Sequence, residues 1–191
     1  MNKVNKGEYG YLKYYKLSKL LVVGILSIML AAVVIGTIIM FGDTSRVIIV
    51  IAILLSLPLA KFLIAYIIVA KYNSLSFDKH AKISNNYKAK DSCLMFDITI
   101  SQYEGIKFYH SMLIKNGKIY ALVLNKDYSD KKKDYEKWIN DSITSQKYKY
   151  KITTFDNIEE YIKKINSVSE PNDNNKLIDR HIREEILSAG V

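Results

Sequence analysis

The sequence predicts a membrane α-helical hairpin followed by a cytoplasmic α+β domain. Residues 20–41 carry no charge and residues 47–70 carry only Lys61, so each segment exceeds the roughly 20 apolar residues that cross a hydrocarbon core. A secretory signal peptide is the competing interpretation of residues 20–41. It is not favoured, because the run is longer than the roughly 7–15 apolar residues of a signal core and a second apolar segment follows at once.

Lysine placement predicts the topology. Five lysines precede the first apolar segment and five lie within residues 71–90, whereas the short connection between the segments holds only Arg46. Positive loops stay cytoplasmic, so both termini are expected in the cytoplasm, with the hairpin in the cell (plasma) membrane. Much of the net charge of +9 then serves topology and attraction to anionic headgroups, and this interpretation is favoured over nucleic-acid binding.

The flanks of the hairpin have distinct compositions. Residues 1–19 mix lysines with tyrosines and predict a basic, aromatic membrane-surface segment, in which three lysines contact anionic lipid: Lys13, Lys16 and Lys19. A docking peptide for a partner is the alternative. Residues 71–90 predict a juxtamembrane linker with a short helix over 77–87, and residues 91–191 predict the folded domain.

Lys61 requires an explanation, because a charge inside the bilayer is costly. The side chain either snorkels towards the headgroups or pairs with a carboxylate of a partner. Small residues recur every fourth position on each helix and form stripes that either face each other or mediate self-association: Ala32, Gly36, Ala52, Ser56 and Ala60.

The domain sequence predicts the order α-β-β-β-α-β-α-α with a mostly antiparallel four-stranded sheet. Residues 94–101 alternate as a half-buried strand, with Met95, Asp97, Thr99 and Ser101 towards solvent. Residues 106–115 form the next strand, and Asn116-Gly117 is a strong hairpin signal. Residues 119–124 are apolar on both faces, which is typical of a central strand covered by helices.

The second half of the domain predicts three helices and one strand. Residues 131–144 have apolar side chains, including Trp138, at helical spacing. Tyr148, Tyr150 and Ile152 alternate as a fourth strand, and Asp156 with Glu159 predicts a capping box before a helix lined by Ile158, Tyr161, Ile162 and Ile165. A polar hinge over 167–175 precedes a last amphipathic helix.

The order of a helix, a three-stranded meander, a helix and a fourth strand resembles the core of the restriction-endonuclease-like fold. That resemblance implies an Asp on one strand and a Glu-x-Lys motif on the next, which together hold Mg²⁺. Asp97 matches the first acid, but Leu124 stands where the glutamate is required. The resemblance therefore implies a degenerate, non-catalytic relative.

Other candidate chemistry is sparse. His80, His110 and His181 lack the spacing of metal ligands, and Cys93 is the only cysteine, so no metal, cofactor or catalytic residue is predicted. Asp97 and His110 are expected as an exposed cross-strand pair. Four lysines form a candidate basic patch: Lys126, Lys131, Lys132 and Lys133. The default interpretation of this patch is a solvated face, and the alternatives are contact with lipid headgroups or with RNA.

The run Leu57-Pro58-Leu59-Ala60-Lys61 in the second apolar segment, followed by a strand-rich domain, resembles uncharacterised two-span membrane proteins of Firmicutes bacteria. This resemblance implies the architecture and no activity. The leading hypothesis is a membrane-anchored binding or regulatory module without catalysis. The alternatives are a membrane-tethered nucleic-acid-associated domain and a small translocator formed by oligomerised hairpins.

Overall fold

A computed structural model describes residues 3–41, 46–87, 93–125, 128–143, 150–168 and 173–190. The chain divides into two compact units. The helical unit comprises Leu12–Asn73, and the domain comprises the residues through Tyr11 together with those from Ser74 onward. The N-terminal residues therefore belong to the same folded unit as the C-terminal two thirds of the chain.

The helical unit contains the two predicted apolar helices. Helix α1 spans Tyr11–Phe41 and helix α2 spans Arg46–Ala70. Both contain stretches long and apolar enough to cross a membrane, Tyr11–Ile39 in α1 and Val50–Ala70 in α2. Helix α1 begins nine residues before the predicted boundary at residue 20, because the lysine- and tyrosine-rich sequence ahead of the apolar run continues the helix without a Gly or Pro to stop it.

Three residues of the small-residue stripes do not pack between α1 and α2 of one chain. Ala32 and Ala60 are exposed, and a Cβ atom placed on Gly36 would meet no atom within 4 Å. The prediction that the stripes face each other in close contact is therefore wrong at these positions.

The domain has the predicted element order. Its helices and strands are α3 (Phe77–Asn86), β1 (Leu94–Gln102), β2 (Gly105–Lys115), β3 (Lys118–Leu122), α4 (Tyr128–Ser142), β4 (Lys151–Phe155), α5 (Ile158–Asn166) and α6 (Asp173–Ser188). The expected linker over 71–90 thus contains α3, whose Ile83 is fully buried, so this segment is part of the folded domain.

The sheet is mixed, with strand order β1-β2-β3-β4. Strands β1, β2 and β3 form an antiparallel meander, and β4 pairs parallel to β3 after the crossover through α4. The β2–β3 turn is Asn116-Gly117, with φ angles of 55° and 64°, as a tight hairpin turn requires. The prediction of a mostly antiparallel sheet is confirmed.

Both faces of the sheet are covered by helices. The first core, on the side of α4 and α6, includes Trp138 and Ile182, and the second core, on the side of α3 and α5, includes Ile83 and Tyr161. A strand covered on both faces has no solvent side. The prediction that Met95, Asp97 and Thr99 face solvent is therefore wrong, since they are 0%, 2% and 5% exposed.

Three local boundaries differ from the sequence prediction. Helix α4 begins and ends earlier than residues 131–144. Strand β4 begins at Lys151, three residues after the predicted start of the alternation at 148–152, and continues to Phe155. Tyr148 lies outside the described residues. The N-cap of α5 is Asn157, whose side chain accepts a 2.8 Å hydrogen bond from Glu159 N–H, so the capping box at Asp156 is wrong by one residue.

Candidate functional site at the Asp97 junction

The N-terminal residues 5–10, here called the strap, lie along the edge of the sheet. Gly7 O accepts a 2.8 Å hydrogen bond from the N–H of Phe96 on the edge strand β1. Gly7 has φ +86°, and a Cβ there would lie 3.3 Å from the Leu187 side chain, so glycine suits both the backbone and the space. The strap covers an edge that would otherwise present unpaired amides. Residues 5–10 of the predicted membrane-surface segment over 1–19 thus pack on β1, and the contact of that segment with lipid stays a prediction.

The C-terminal end of the chain covers the same edge further along. Ala189 O accepts a hydrogen bond of 3.1 Å from Ser101 N–H, and Lys6 of the strap donates to Gly190 O at 3.0 Å. Both ends of the chain therefore meet beside β1, on either side of Asp97.

Asp97 is the centre of this region. Its carboxylate oxygen Oδ2 accepts hydrogen bonds from Gly10 N–H at 2.9 Å and from the Ser74 hydroxyl at 2.8 Å. The two donor atoms are therefore at most about 5.7 Å apart, the sum of these distances. Gly10 immediately precedes α1, and Ser74 follows α2 by four residues. One oxygen atom joins the segments on both sides of the apolar helices.

The backbone at Asp97 reverses the side-chain alternation of β1. Its φ is +53°, a left-handed conformation that Asp tolerates better than most residues. Phe96 packs in the second core with Leu94, whereas Ile98 and Ile100 pack in the first core. Neighbouring β2 reverses at the matching place, so the pairing register continues from Phe96↔Ser111 to Ile98↔Tyr109.

Two aromatic contacts strengthen the junction. The Tyr9 ring stacks on His80 with centroids 3.9 Å apart, and the Tyr9 hydroxyl donates to Leu75 O at 2.9 Å. His80 also contacts the Phe96 ring edge to face and has Nε2 3.2 Å from Ser84 Oγ. Burial lowers the pKa of His80, and the charge of Asp97 opposes this shift. Tyr9 thus makes a second connection between the strap and the segment after α2, in addition to the one through Asp97.

His110 has a structural role. Its Nδ1 accepts a 3.1 Å hydrogen bond from Leu124 N–H, just after β3. Burial, with the nearby charge of Lys79, lowers the pKa of His110 to about 4. His110 is therefore neutral near pH 7, and because Asp97 is buried, the predicted exposed Asp97–His110 pair is wrong.

No metal centre is formed by the described residues, among which no group of three or more His, Cys, Asp or Glu side chains is placed to hold an ion. Leu124, an apolar residue, occupies the end of the β3 segment where a nuclease-like site needs a carboxylate. His181 lies on α6, exposed, with Nε2 3.3 Å from Glu185 Oε1.

The predicted lipid-binding lysines differ in their surroundings. Lys16 Nζ donates to the carbonyls of Ala70 at 2.9 Å and of Tyr72, at the C-terminal end of α2, where a cation is favourable. Lys19 lies over the rings of Tyr15 and Phe62. Lys13 is exposed, whereas Lys16 and Lys19 are half-buried. Lys16 and Lys19 join α1 to α2, a role the sequence did not indicate.

The candidate basic patch is electrically balanced on α4. Lys131, Lys132 and Lys133 are exposed, whereas Lys126 lies outside the described residues. Helix α4 carries four lysines and four acidic residues. Lys107 of β2 lies 3.9 Å from Asp134 and over the Trp138 ring. This helix offers no strong positive field for a phosphate backbone.

Lys61 is exposed on α2.

Comparison of the chain with protein-family models, with curated proteins and with solved structures finds no match.

Proposed function

We propose that this chain is a membrane-anchored binding or regulatory module without catalysis of its own. In this proposal α1 and α2 cross the plasma membrane, the domain lies in the cytoplasm, and its partners are anionic headgroups and a protein that reaches the membrane surface. The observation that carries the proposal is the convergence of the strap and Ser74 on Asp97.

The meeting of the strap and Ser74 at Asp97 favours an even number of membrane crossings between them. The strap precedes α1 and Ser74 follows α2, yet both belong to one folded unit. A folded unit lies on one side of a bilayer, so two crossings between the strap and Ser74 fit and a single crossing does not. The excess of lysines on both flanks favours the cytoplasmic side.

The short connections between the domain and the apolar helices favour a function at the membrane surface. Helix α1 starts one residue after Gly10, and α2 ends four residues before Ser74. Such short connections keep the domain beside the bilayer. A module held there suits recognition of lipid headgroups or of membrane-associated partners better than it suits a search through the cytoplasm.

A nucleic-acid-associated domain is the second candidate, favoured by the element order that it shares with the restriction-endonuclease-like core. The balanced charge of α4 and the leucine at position 124 weigh against it. A translocator built from oligomerised hairpins is the third candidate and depends on Lys61 alone, because Ser56 and Thr37 each already donate to a carbonyl of their own helix.

Excision of the helical unit tests the anchoring proposal. Replacement of residues 12–73 by a Gly/Ser linker of about six residues easily spans the gap between the two fastened segments. We expect a folded, water-soluble domain that leaves the membrane fraction, whereas the full chain resists extraction with carbonate. Recovery of the full chain in the soluble fraction would contradict the proposal.

A matched control keeps the same domain but omits the strap. A chain that begins at Ser74 leaves Phe96 N–H and Asp97 without their strap partners, so we expect it to aggregate or to lose its cooperative unfolding transition.

The absence of catalysis is tested on the purified full chain in detergent. With Mg²⁺ or Mn²⁺ present, single- and double-stranded nucleic acids should stay intact, and cleavage that is lost on Asp97→Ala would refute the non-catalytic proposal.

A further inference from the structure

We propose that Lys118 and Lys151 form a binding site for a phosphate group, which is presented either by a soluble phosphate compound or by a lipid headgroup. The site lies wholly within the domain, at the end of the sheet where β3 and β4 begin. This inference goes beyond the proposed function and does not depend on the crossing of a membrane by α1 and α2.

A row of three lysines crosses this end of the sheet. Lys115 of β2 pairs in register with Lys118 of β3, and Lys118 pairs with Lys151 of β4. Partners in register point to the same face of a sheet, and so do side chains two residues apart along one strand. Because Leu113 and Tyr120 belong to the second core, the three lysines lie on the face that this core occupies.

The three lysines differ in their surroundings. Lys115 is 2% exposed, and its ammonium group lies 5.9 Å from the centre of the Tyr87 ring. Lys118 and Lys151 are exposed, and their side chains form no ion pair or hydrogen bond with any residue that the structure describes. Two ammonium groups are therefore accessible to a ligand at the surface.

The like charges of Lys118 and Lys151 are unfavourable in the domain alone. Neighbouring strands are about 4.8 Å apart, and like charges directly opposite one another in a sheet destabilise it. A bound anion reverses this effect, because each ammonium group then lies beside a negative charge as well as a positive one.

The backbone holds the two lysines in place. The N–H groups of Asn116 and Gly117, in the β2–β3 turn, donate to the buried carboxylate of Asp179. Gly117 O accepts a 3.1 Å hydrogen bond from Lys151 N–H, so the start of β4 is fixed against the same turn. A ligand that bridges Lys118 and Lys151 therefore orders only their side chains, which limits the entropic cost of binding.

Helix α5 adds positive charge at this end of the sheet. The Tyr161 hydroxyl lies 3.0 Å from the Ser111 hydroxyl, and Ser111 pairs with Leu122 at the far end of β3. Ile165, one turn later, packs in the same second core, so α5 runs back towards the lysine row. The last turn of α5 carries two basic residues and its first turn two acidic residues: Lys163, Lys164, Glu159 and Glu160. The basic end of α5 is therefore the end nearer to the row.

The geometry favours a phosphate group over a nucleic-acid strand. Lysine binds phosphate as a compact charge with three donors, and the several oxygen atoms of one phosphate group can accept hydrogen bonds from both lysines. Sites for single-stranded nucleic acids add aromatic side chains on which the bases stack. The next residues on this face along β3 and β4 are Tyr120, which is buried, and Thr153, so neither offers a ring to a base.

Urea unfolding of the full chain in an uncharged detergent, followed by the fluorescence of Trp138, tests the site. The probe is inorganic phosphate at about 10 mM, compared with sodium chloride at the same ionic strength. If the dissociation constant is about 1 mM, this concentration lowers the unfolding equilibrium constant about elevenfold. We expect a stabilisation that saturates as the phosphate concentration rises.

Matched variants assign the stabilisation to the two lysines. Without phosphate, Lys118→Gln and Lys151→Gln should each be at least as stable as the native chain, because the like-charge pair is gone. With phosphate, their unfolding equilibrium constants should change by less than about twofold. Lys151→Arg keeps the charge and should keep the response. Lys133→Gln, at an exposed site on α4, should respond as the native chain does.

Nanodiscs distinguish the two sources of the phosphate group. Hydrogen exchange in residues 151–155 is compared in phosphatidylcholine alone and with about one third phosphatidylglycerol, for the native chain and for Lys118→Gln. Exchange that is several-fold slower with phosphatidylglycerol, in the native chain only, would identify a lipid headgroup as the source. Equal exchange in the two nanodiscs, together with a saturable response to inorganic phosphate, would identify a soluble compound.

The absence of a native response to both probes would overturn the site. Equal responses of the native chain and of the two glutamine variants would do the same, since phosphate also stabilises proteins by exclusion from their surface. Binding of an RNA oligonucleotide through Lys118 and Lys151, without a response to inorganic phosphate or phosphatidylglycerol, would likewise contradict the proposal.

Discussion

Acidification should destabilise the domain through His110. The folded-state pKa of His110 is about 4, against about 6.5 in an unfolded chain. As the pH falls, the unfolded chain binds the proton first. The stability that neutral His110 contributes is therefore complete above pH 6.5 and is lost as the pH falls towards 4.

The size of the effect follows from the difference between the two pKa values. At about 1.4 kcal/mol per pKa unit, the full loss is about 3 kcal/mol, of which about 2 kcal/mol is already lost at pH 5. His110→Asn is the matched variant, because its side-chain oxygen can accept the Leu124 N–H bond and does not titrate. It should lose about 2 kcal/mol less than the native domain between pH 7 and pH 5.

Urea unfolding of the full chain in mild detergent measures this difference. Trp138 is the only tryptophan and is buried in the first core, so its fluorescence reports on the domain alone. Equal losses of stability on acidification in the native and His110→Asn proteins would refute the assignment of a buried, neutral His110.

Two further substitutions test the domain and the helical unit. Asp179, which is 1% exposed, accepts hydrogen bonds from Asn116 N–H and Gly117 N–H of the β2–β3 turn, so Asp179→Ala should destabilise the domain by about 2–4 kcal/mol in urea unfolding. Asp141→Ala at an exposed site should change the stability by less than about 0.5 kcal/mol. Equal effects of the two substitutions would contradict the role of Asp179 in holding this turn. Lys61→Leu should leave membrane insertion intact if Lys61 snorkels, whereas loss of a co-purifying protein on this substitution, with retention in Lys61→Arg, would show that Lys61 pairs with a partner.

Local pattern predicted most of the domain. The Asn116-Gly117 turn, the helical spacing of Tyr161, Ile162 and Ile165, and the apolar run of β3 each determine their element through neighbouring residues, and the structure agrees. The parallel pairing of β4 with β3 depends on contacts distant in sequence, which period and propensity do not specify.

The Asp97 junction escaped prediction for a physical reason. Alternation in residues 94–101 assigns Asp97 to a solvent face, but its left-handed backbone reverses the pattern in mid-strand, and the polar side chain is then buried against partners from two distant segments. Gly7 and Gly10, both with positive φ, were the available local signal. They indicate a folded turn just before α1.

The central proposal, that both ends of the chain and the domain lie on the cytoplasmic side of a two-span hairpin, is tested most directly by thiol labelling in intact cells. In a Cys93→Ser background, single cysteines replace Ser45, between the two helices, and Tyr103, which is fully exposed on the domain. An impermeant thiol reagent should label Ser45→Cys in intact cells and Tyr103→Cys only after permeabilisation. Labelling of Tyr103→Cys in intact cells would contradict the cytoplasmic placement of the domain.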